Sequence, residues 1–288
     1  MTTPTSPRPA DVRQYLADLQ WAIHSPSLLT TSAITETRPF ARTTPELAGP
    51  IETSEFRVGR YFERLVEQHI RSQADWQMLA CGHQIRDQGR TAGELDFVFR
   101  AGADVYHIET AVKFYLYLPD RVCRGSQFVG PNSQDNFESK TERLWNHQLP
   151  LSKQWMPEVT IRQAHVKGII FYPRHHAVPD TLPPRLSPHH QQGTWFRAAD
   201  VDDFLQSLPD RQQARFHVHH KPHWLAPPAA QPSPLDADQL TAAVDQHFRR
   251  SPGRPLMISI LGAFMADSIT DRHCGRLFCM PDNWPETT

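Results

Sequence analysis

The chain has 288 residues, of which 39% are hydrophobic and 21% are charged, enough for one large or two modest domains with a buried core. Its formal net charge of −1, with 16 histidines, excludes a globally basic surface, so nucleic-acid binding would need a local patch. Because no apolar run approaches the roughly 20 residues of a membrane helix, we expect no membrane-spanning segment.

The cysteines and the N-terminus predict the cellular compartment. The sequence contains four cysteines: Cys81, Cys123, Cys274 and Cys279. They lie far apart or at a spacing unlike that of a CxxC pair, and the first residues, MTTPTSPRPADVRQ, contain no apolar signal core. We therefore expect a reduced, cytoplasmic protein.

Two helices are predicted before the first strand. Residues 11–29 carry apolar side chains at helical spacing and predict a helix that ends near Pro26. Residues 30–54 mix turn formers with few periodic apolar residues and predict an extended connection. Residues 54–73 carry one apolar helical stripe, with Ser54 as a possible N-cap.

The middle of the chain predicts strands around one further helix. Residues 76–86 read as a strand, residues 93–119 as a hairpin, and residues 136–149 as a helix. Residues 166–173 predict a buried strand that ends at proline. The predicted order is therefore helix, strand, strand, strand, helix, strand.

The last third of the chain is rich in proline. Residues 173–234 contain 11 of the 26 prolines, which argues against long regular elements there. Residues 236–250 predict a helix capped by Asp236 or Asp238, and residues 254–264 predict a strand or a short buried helix. The sequence shows no internal repeat.

The hairpin at residues 93–119 raises the question of why an apolar stretch carries charged residues. With a turn at residues 101–103, Arg100 faces Val105. One face then pairs Phe99 with Tyr106, Phe97 with Ile108, and Leu95 with Thr110. The other face pairs Val98 with His107 and Asp96 with Glu109. A bulge at Gly102 would shift this register by one residue.

The opposed carboxylates predict a cation site on one wet face of the hairpin. Directly opposed residues have Cβ atoms roughly 4.5 to 5.5 Å apart. Two carboxylates at that distance repel unless a cation lies between them, and hard oxygen ligands suit Mg²⁺ or Mn²⁺. Lys113 follows Glu109 on the same face and can hold a water or a phosphate oxygen. The alternative is an ordinary solvated sheet face, with Lys113 as the salt-bridge partner of Asp96 and Glu109.

Three motifs resemble a known superfamily. GRYFE at 59–63, GELD at 93–96 and HIETAVK at 107–113 resemble the PD-(D/E)xK, or restriction-endonuclease-like, superfamily. The whole chain also resembles a bacterial family of proteins of unknown function within that superfamily, in which GELDFVF, GPN and HQLPLS recur.

The resemblance implies an α/β fold with a restriction-endonuclease-like αβββαβ core and a mixed sheet. It divides the chain into three parts. Residues 1–54 form an N-terminal helix and connection, residues 55–175 form the nuclease-like core, and residues 176–288 form a Pro-rich C-terminal extension packed on the core.

The resemblance also implies roles for four residues. Asp96 and Glu109 bind the metal, Lys113 assists catalysis, and Glu63 supports the site. The spacing departs from the usual pattern of acid, one residue, lysine, because Ala111 occupies the usual lysine position. If Lys113 fills that position instead, Ala111 replaces the acid; the direct pairing with Asp96 favours Glu109 as the ligand.

The implied activity is Mg²⁺-dependent hydrolysis of phosphodiester bonds, with DNA favoured over RNA. Lys140 and Arg143 lie three residues apart on the predicted third helix and could meet the phosphate backbone, although a solvated helix face is the alternative. Glu67 lies one turn after Glu63 and could substitute for it. The rival function is a catalytically inactive nucleic-acid-binding or assembly protein, and a structural protein without nucleic acid is a third.

Histidine-rich stretches give a weak indication of structural zinc. The histidines occur as pairs at 175–176 and 189–190 and as the run HVHHKPHW at 217–224. No Cys or acidic residue accompanies them at ligand spacing, so hydrogen-bonded histidines are the favoured interpretation.

Overall fold

The structure is a computed structural model in which residues 9–30, 32, 39–46, 57–229, 233–261 and 273–285 are described. The helices are α1 (Pro9–His24), α2 (Val58–Ser72), α3 (Phe137–Arg143), α4 (Leu149–Trp155), α5 (Val201–Gln206) and α6 (Ala237–Arg250). The strands are β1 (Trp76–Asp87), β2 (Arg90–Ala101), β3 (Asp104–Tyr117), β4 (Phe128–Val129), β5 (Ile161–Pro173), β6 (Gln191–Arg197), β7 (Arg215–His219), β8 (Leu256–Leu261) and β9 (His273–Met280). A π-helical turn, Leu144–Gln148, joins α3 to α4.

All the strands belong to one mixed sheet, in the order β1-β2-β3-β5-β6-β9-β8-β7, with β4 paired to β3. The pairs β3–β5, β5–β6 and β6–β9 are parallel. The remaining pairs are antiparallel. The fold is therefore mixed α/β, and the predicted order of helix, three strands, helix and strand is confirmed, with the short β4 added.

The two N-terminal helices cover one face of the sheet. Helix α1 ends at His24, next to the predicted stop at Pro26. Helix α2 turns six side chains toward the sheet: Tyr61, Phe62, Leu65, Val66, His69 and Ile70. Ser54 lies outside the described residues, and Arg57 occupies the cap position. Most of the predicted connection at 30–54 is likewise not described, and its described part contains a short 3-10 turn, Phe40–Arg42.

Alternate residues of β5 show that helices cover both faces of this half of the sheet. Ile169 and Phe171 pack in the cluster that contains α1 and α2. Val166 and Ile170 pack in the cluster that contains Phe137 and the following helical residues. Because side chains of a strand alternate between faces, α2 and α3 lie on opposite sides of the sheet.

The C-terminal third continues the sheet. Strand β6 pairs in parallel with β5, so the sheet runs through the predicted boundary at residue 175, and the three-part division stays a prediction. Of the two predicted caps of helix α6, Asp236 is the one observed, and it forms a capping box: Asp236 Oδ1 accepts from Gln239 N at 2.8 Å and Gln239 Oε1 accepts from Asp236 N at 3.0 Å. Between residues 173 and 229, no regular element exceeds seven residues, as the prolines predicted.

No helix of the described ranges is both long enough and apolar enough to span a lipid bilayer.

Candidate functional site

The β2–β3 hairpin has the predicted register over most of its length. The pairs run from Ala101–Asp104 to Phe97–Ile108 without a bulge, and the turn places Gly102 at φ 61°. The prediction fails beyond Phe97. Leu95 does not share the face of Phe97, because it packs with Val98 in a separate cluster on the other side. The regular ladder therefore ends immediately before the predicted carboxylate pair.

Asp96 and Glu109 remain adjacent where the ladder ends. The Asp96 N–H lies 3.4 Å from Glu109 Oε1. Thr110 donates its N–H to Asp96 Oδ2 at 2.8 Å and its hydroxyl to the same oxygen at 3.2 Å. The Asp96 carboxylate thus accepts a strand N–H, which holds the side chain across the seam between the two strands.

Glu109 is fully buried, with 0% of its surface exposed. Its Oε1 accepts from His107 Nε2 at 2.8 Å, and its Oε2 accepts from Gln148 Nε2 at 2.7 Å. The expectation that both carboxylates lie on a wet face is therefore wrong for Glu109. The solvated-face alternative fails for the same reason, because helical residues beyond β4 cover this side of the strand.

A chain of hydrogen bonds from Arg162 through Ser152 and His107 positions Glu109. Arg162 Nε donates to Ser152 Oγ at 2.9 Å, and Ser152 Oγ lies 2.9 Å from His107 Nδ1. Because a carboxylate oxygen accepts, His107 donates through Nε2 to Glu109 and accepts from Ser152 through Nδ1. A Ser–His–Glu set resembles a hydrolytic triad in composition. Ser152 is 0% exposed, however, so the chain positions Glu109 and does not present a nucleophile to a substrate.

Asp96 is half-buried and lines a cleft, in contrast to Glu109. Burial raises the pKa of Asp96 from 3.8 to about 7, and the nearby charges of Glu109 and, to a smaller extent, Glu63 add to the rise against the opposing hydrogen bonds of Thr110. A cation beside Asp96 would stabilise the charged form of its carboxylate.

The cleft has a volume of about 300 Å³ and lies between α2 and the β1–β2 hairpin. It is lined by Arg60, Glu63, Arg64, Glu67, Cys81, Gly82, Glu94, Asp96 and Phe97. Glu63 pairs with Arg60 at 2.8 Å on the helix surface. Glu67 pairs with Arg71 at 2.8 Å. Glu63 is among the charges that raise the pKa of Asp96, which favours it over Glu67 as the helix residue of the site.

Lys113 and Lys140 have different surroundings from those predicted. Lys113 Nζ forms an ion pair with Asp135, in the loop before α3. Lys140 is half-buried, and its Nζ donates to Gln148 Oε1 at 3.3 Å, so Gln148 connects it to Glu109. Burial lowers the pKa of Lys140, and the charge of Lys113 contributes. Lys140 is therefore part of the polar site and not of a solvated helix face.

Arg143, the partner of Lys140 in the predicted phosphate-binding pair, is exposed. Its contribution to nucleic-acid binding stays a prediction, as does that of Lys140.

Sequence reasoning missed four residues that shape this site: His107, Asp135, Gln148 and Ser152. A signal was present for each of them. His107 precedes Glu109 by two residues on the same strand face, and Asp135 follows the GPN motif closely. Gln148 and Ser152 both lie in the HQLPLS motif.

Gly93, the first residue of GELD, has a packing role. A Cβ at this position would lie 2.4 Å from Leu151 Cδ1, so glycine lets β2 approach α4 closely.

The candidate metal ligands are two carboxylates. Across the described ranges, no three His, Cys, Asp or Glu side chains gather into a metal-binding group. Mg²⁺ uses one or two carboxylates together with waters and substrate oxygens. Asp96 and Glu109 are of this ligand type, but both oxygens of Glu109 already accept hydrogen bonds from His107 and Gln148, so the Mg²⁺ or Mn²⁺ site stays a prediction. Two of the histidines considered for zinc contact protein side chains: His190 Nε2 lies 2.9 Å from Tyr172 Oη, and His219 Nε2 lies 2.7 Å from Ser259 Oγ.

Comparison with known proteins finds one similarity. A family model described as a domain of unknown function, DUF1853, matches residues 41–279. No curated protein and no solved structure matches the chain. The likeness of GRYFE, GELD and HIETAVK to the PD-(D/E)xK motifs stays an interpretation of the sequence. Because the family model covers more than half of the 288 residues, the chain belongs to the DUF1853 family.

Proposed function

We propose that this protein is a Mg²⁺- or Mn²⁺-dependent phosphodiesterase that acts on nucleic acid, with DNA favoured over RNA, and that its core is restriction-endonuclease-like. One observation carries the proposal: a half-buried Asp96 at a cleft lies against a buried Glu109 whose orientation is held by protein donors. This arrangement has the character of a prepared anionic site, in which surrounding residues hold the functional groups in place.

The residues of the site have separate roles in this proposal. Asp96 and Glu109 would hold the cation, which when bound would polarise a phosphate oxygen and lower the pKa of a coordinated water. His107 and Gln148 hold the two oxygens of Glu109 in position. Glu63 supports the site from the wall of the cleft.

Lys113 would have to change its ion-pair partner to act in the proposed reaction. The proposed role of Lys113 is to orient a water or to stabilise charge on the phosphate, and this role requires its ammonium group to leave Asp135. Lys140 is connected to Glu109 through hydrogen bonds of Gln148, and it offers a second ammonium group on the same side of the sheet as Glu109.

A catalytically inactive nucleic-acid-binding or assembly protein is the second candidate. It is favoured by the contacts that already engage the proposed catalytic groups. Glu109 accepts from two side chains, and Lys113 is paired with Asp135. A protein that retained the fold only for binding would keep these hydrogen bonds and this ion pair, because no catalytic step would require them to break.

The test is calorimetric titration of Mg²⁺ and Mn²⁺ into the wild type, Asp96→Ala and Asp87→Ala, with cleavage of duplex and single-stranded DNA followed on the same samples. Asp87 is an exposed aspartate at the end of β1, in the β1–β2 hairpin that also contains Asp96, and it serves as the matched control. We expect metal binding and cleavage in the wild type and in Asp87→Ala, and loss of both in Asp96→Ala.

Two other results would contradict the proposed site or favour the second candidate function. Metal binding that is absent in the wild type, or equal in all three proteins, contradicts the proposed site. Metal binding that depends on Asp96 without any cleavage supports the inactive alternative.

A further inference from the structure

The outer face of α2 carries a row of arginines. The row consists of Arg57 at the N-cap and of Arg60, Arg64 and Arg71 within the helix, and it is called the arginine stripe below. Successive members are separated by three, four and seven residues, so they share one side of the helix. All four are exposed, while the opposite side of α2 packs on the sheet. At 1.5 Å per residue, the stripe spans about 21 Å.

The stripe passes directly along the candidate site. Arg60 and Arg64 line the same cleft as Asp96. The charges of Glu63, Glu94 and Asp96 raise the pKa of Arg60, with Glu63 having the largest effect, so the guanidinium lies within electrostatic reach of the carboxylates. A phosphate held by the stripe would therefore stand next to the proposed cation site.

The ion pairs of Arg60 and Arg71 on α2 are exposed to solvent. Arg60 pairs with Glu63, and Arg71 pairs with Glu67, but the two arginine side chains remain 59% and 54% exposed. Exposed ion pairs of this kind contribute little to stability. Exchanging a glutamate for a phosphate oxygen, to which arginine can bind in a bidentate manner, therefore costs little.

The cleft favours a duplex over a single strand. Proteins that bind single strands without sequence preference stack bases on accessible aromatic rings. Among the described residues lining the cleft, Phe97 is the one aromatic residue, and it is 2% exposed. Arginine contacts to phosphate oxygens instead hold the backbone, and such contacts do not read base sequence.

We propose that the arginine stripe binds the phosphate backbone of a nucleic-acid duplex and places one of its phosphates in the cleft beside Asp96. This inference rests on the proposed function, since it supplies the substrate surface for the same site. It locates the backbone contact on α2, on the opposite side of the sheet from Lys140 and Arg143.

The test measures binding of fluorescent duplex and single-stranded DNA by anisotropy in EDTA, at several salt concentrations, so that cleavage does not contribute. The variant is Arg57→Gln/Arg64→Gln, and the matched control is Arg249→Gln/Arg250→Gln, an exposed pair at the end of α6. We expect the slope of log affinity against log salt to fall in magnitude by about 2 in the stripe variant and to stay unchanged in the control. We also expect the wild type to bind duplex on the order of tenfold more tightly than a single strand.

A third double variant, Lys140→Gln/Arg143→Gln, identifies the competing surface. If this variant lowers the slope and the stripe variant does not, the backbone contact lies on α3 and the inference is overturned. A wild type that binds neither DNA, or that binds single strands as tightly as duplex, also overturns it. Circular dichroism and thermal melting of each variant confirm that the compared proteins are folded.

Binding and hydrolysis can fail independently. Arginine-dependent duplex binding without any metal-dependent cleavage supports the surface and rejects hydrolysis. Cleavage that depends on Asp96 but is unaffected by Arg57→Gln/Arg64→Gln supports hydrolysis and rejects the surface.

Discussion

Two buried polar networks occupy opposite halves of the sheet, and they end differently. In the C-terminal half, Arg276 Nη1 donates to His219 Nε2 at 2.9 Å and Arg276 Nη2 donates to the carbonyl of Leu225 at 2.8 Å. His219 Nδ1 donates in turn to the carbonyl of His223 at 2.9 Å. This network reaches two main-chain oxygens inside the protein, and His219 Nε2 also lies 2.7 Å from Ser259 Oγ.

In the N-terminal half, the network from Arg162 through Ser152 and His107 terminates on Glu109, next to the half-buried Asp96 at a cleft. Both networks satisfy polar groups that strands have turned inward. The first has the contacts of a structural cross-link, whereas the second brings two carboxylates together near solvent. Buried polar groups alone therefore do not distinguish the two networks; the half-buried carboxylate of Asp96 beside Glu109 does.

The largest effect is expected at the structural network. Arg276→Met leaves two buried acceptors, His219 Nε2 and the Leu225 carbonyl, without this donor, and we expect the free energy of unfolding to fall by about 2–5 kcal/mol. Urea denaturation measures this change, with Arg100→Met, at an exposed arginine of β2, as the control. Metal affinity per folded molecule should stay unchanged. A loss of metal binding in folded Arg276→Met would contradict a purely structural role for the network around Arg276.

A smaller effect is expected at the network that ends on Glu109. Gln148→Leu removes the donor to Glu109 Oε2 and the acceptor of Lys140, so we expect the free energy of unfolding to fall by about 1–3 kcal/mol. Mg²⁺ affinity should also fall, because the carboxylate loses one of its positioning contacts. Urea denaturation and calorimetry of this variant are compared with Gln154→Leu, at an exposed position of α4. Wild-type Mg²⁺ affinity in Gln148→Leu would contradict the positioning role.

The pH dependence of stability tests the carboxylate pair without metal. Because the pKa of Asp96 is raised from 3.8 to about 7 in the folded protein, the folded state binds more protons than the unfolded state between these values. The stability from this group is fully present below pH 3.8 and is lost as pH rises through 7. In EDTA, Asp96→Asn should therefore show a smaller decline of unfolding free energy from pH 4 to pH 8 than the wild type. Asp87→Asn is the control, and equal declines in all three proteins would show that Asp96 titrates normally.

The smallest change in stability is expected from Asp135→Asn. Its ion pair with Lys113 is partly exposed, so the free energy of unfolding should change by less than about 1 kcal/mol. If Lys113 serves the reaction, its release should increase the rate of DNA cleavage. Single-turnover cleavage and urea denaturation measure the two effects. An unchanged rate, with an equally unchanged rate in Lys113→Met, would remove Lys113 from the proposed mechanism.

Local patterns allowed much of the fold and part of the site to be predicted. The apolar stripe of α2 and the alternation along β2 and β3 reflect the 3.6-residue and two-residue periods of helix and strand, which neighbouring residues determine. The register from Arg100–Val105 to Phe97–Ile108 followed from which face is apolar. The adjacency of Asp96 and Glu109 followed from that register, even though the regular ladder stops before them.

The sequence by itself determined the order of the core elements, the hairpin register and the pair of acidic residues, because each depends on residues close in the chain. Tertiary structure alone decided the burial of Glu109 beneath Gln148, 39 residues away, and the cleft that α2 forms with Asp96. It also decided the pairing of Lys113 with Asp135, 22 residues away, and the continuation of the sheet into the C-terminal third. No local period encodes such contacts, since they depend on how whole helices pack across the sheet and on which polar groups must then find partners.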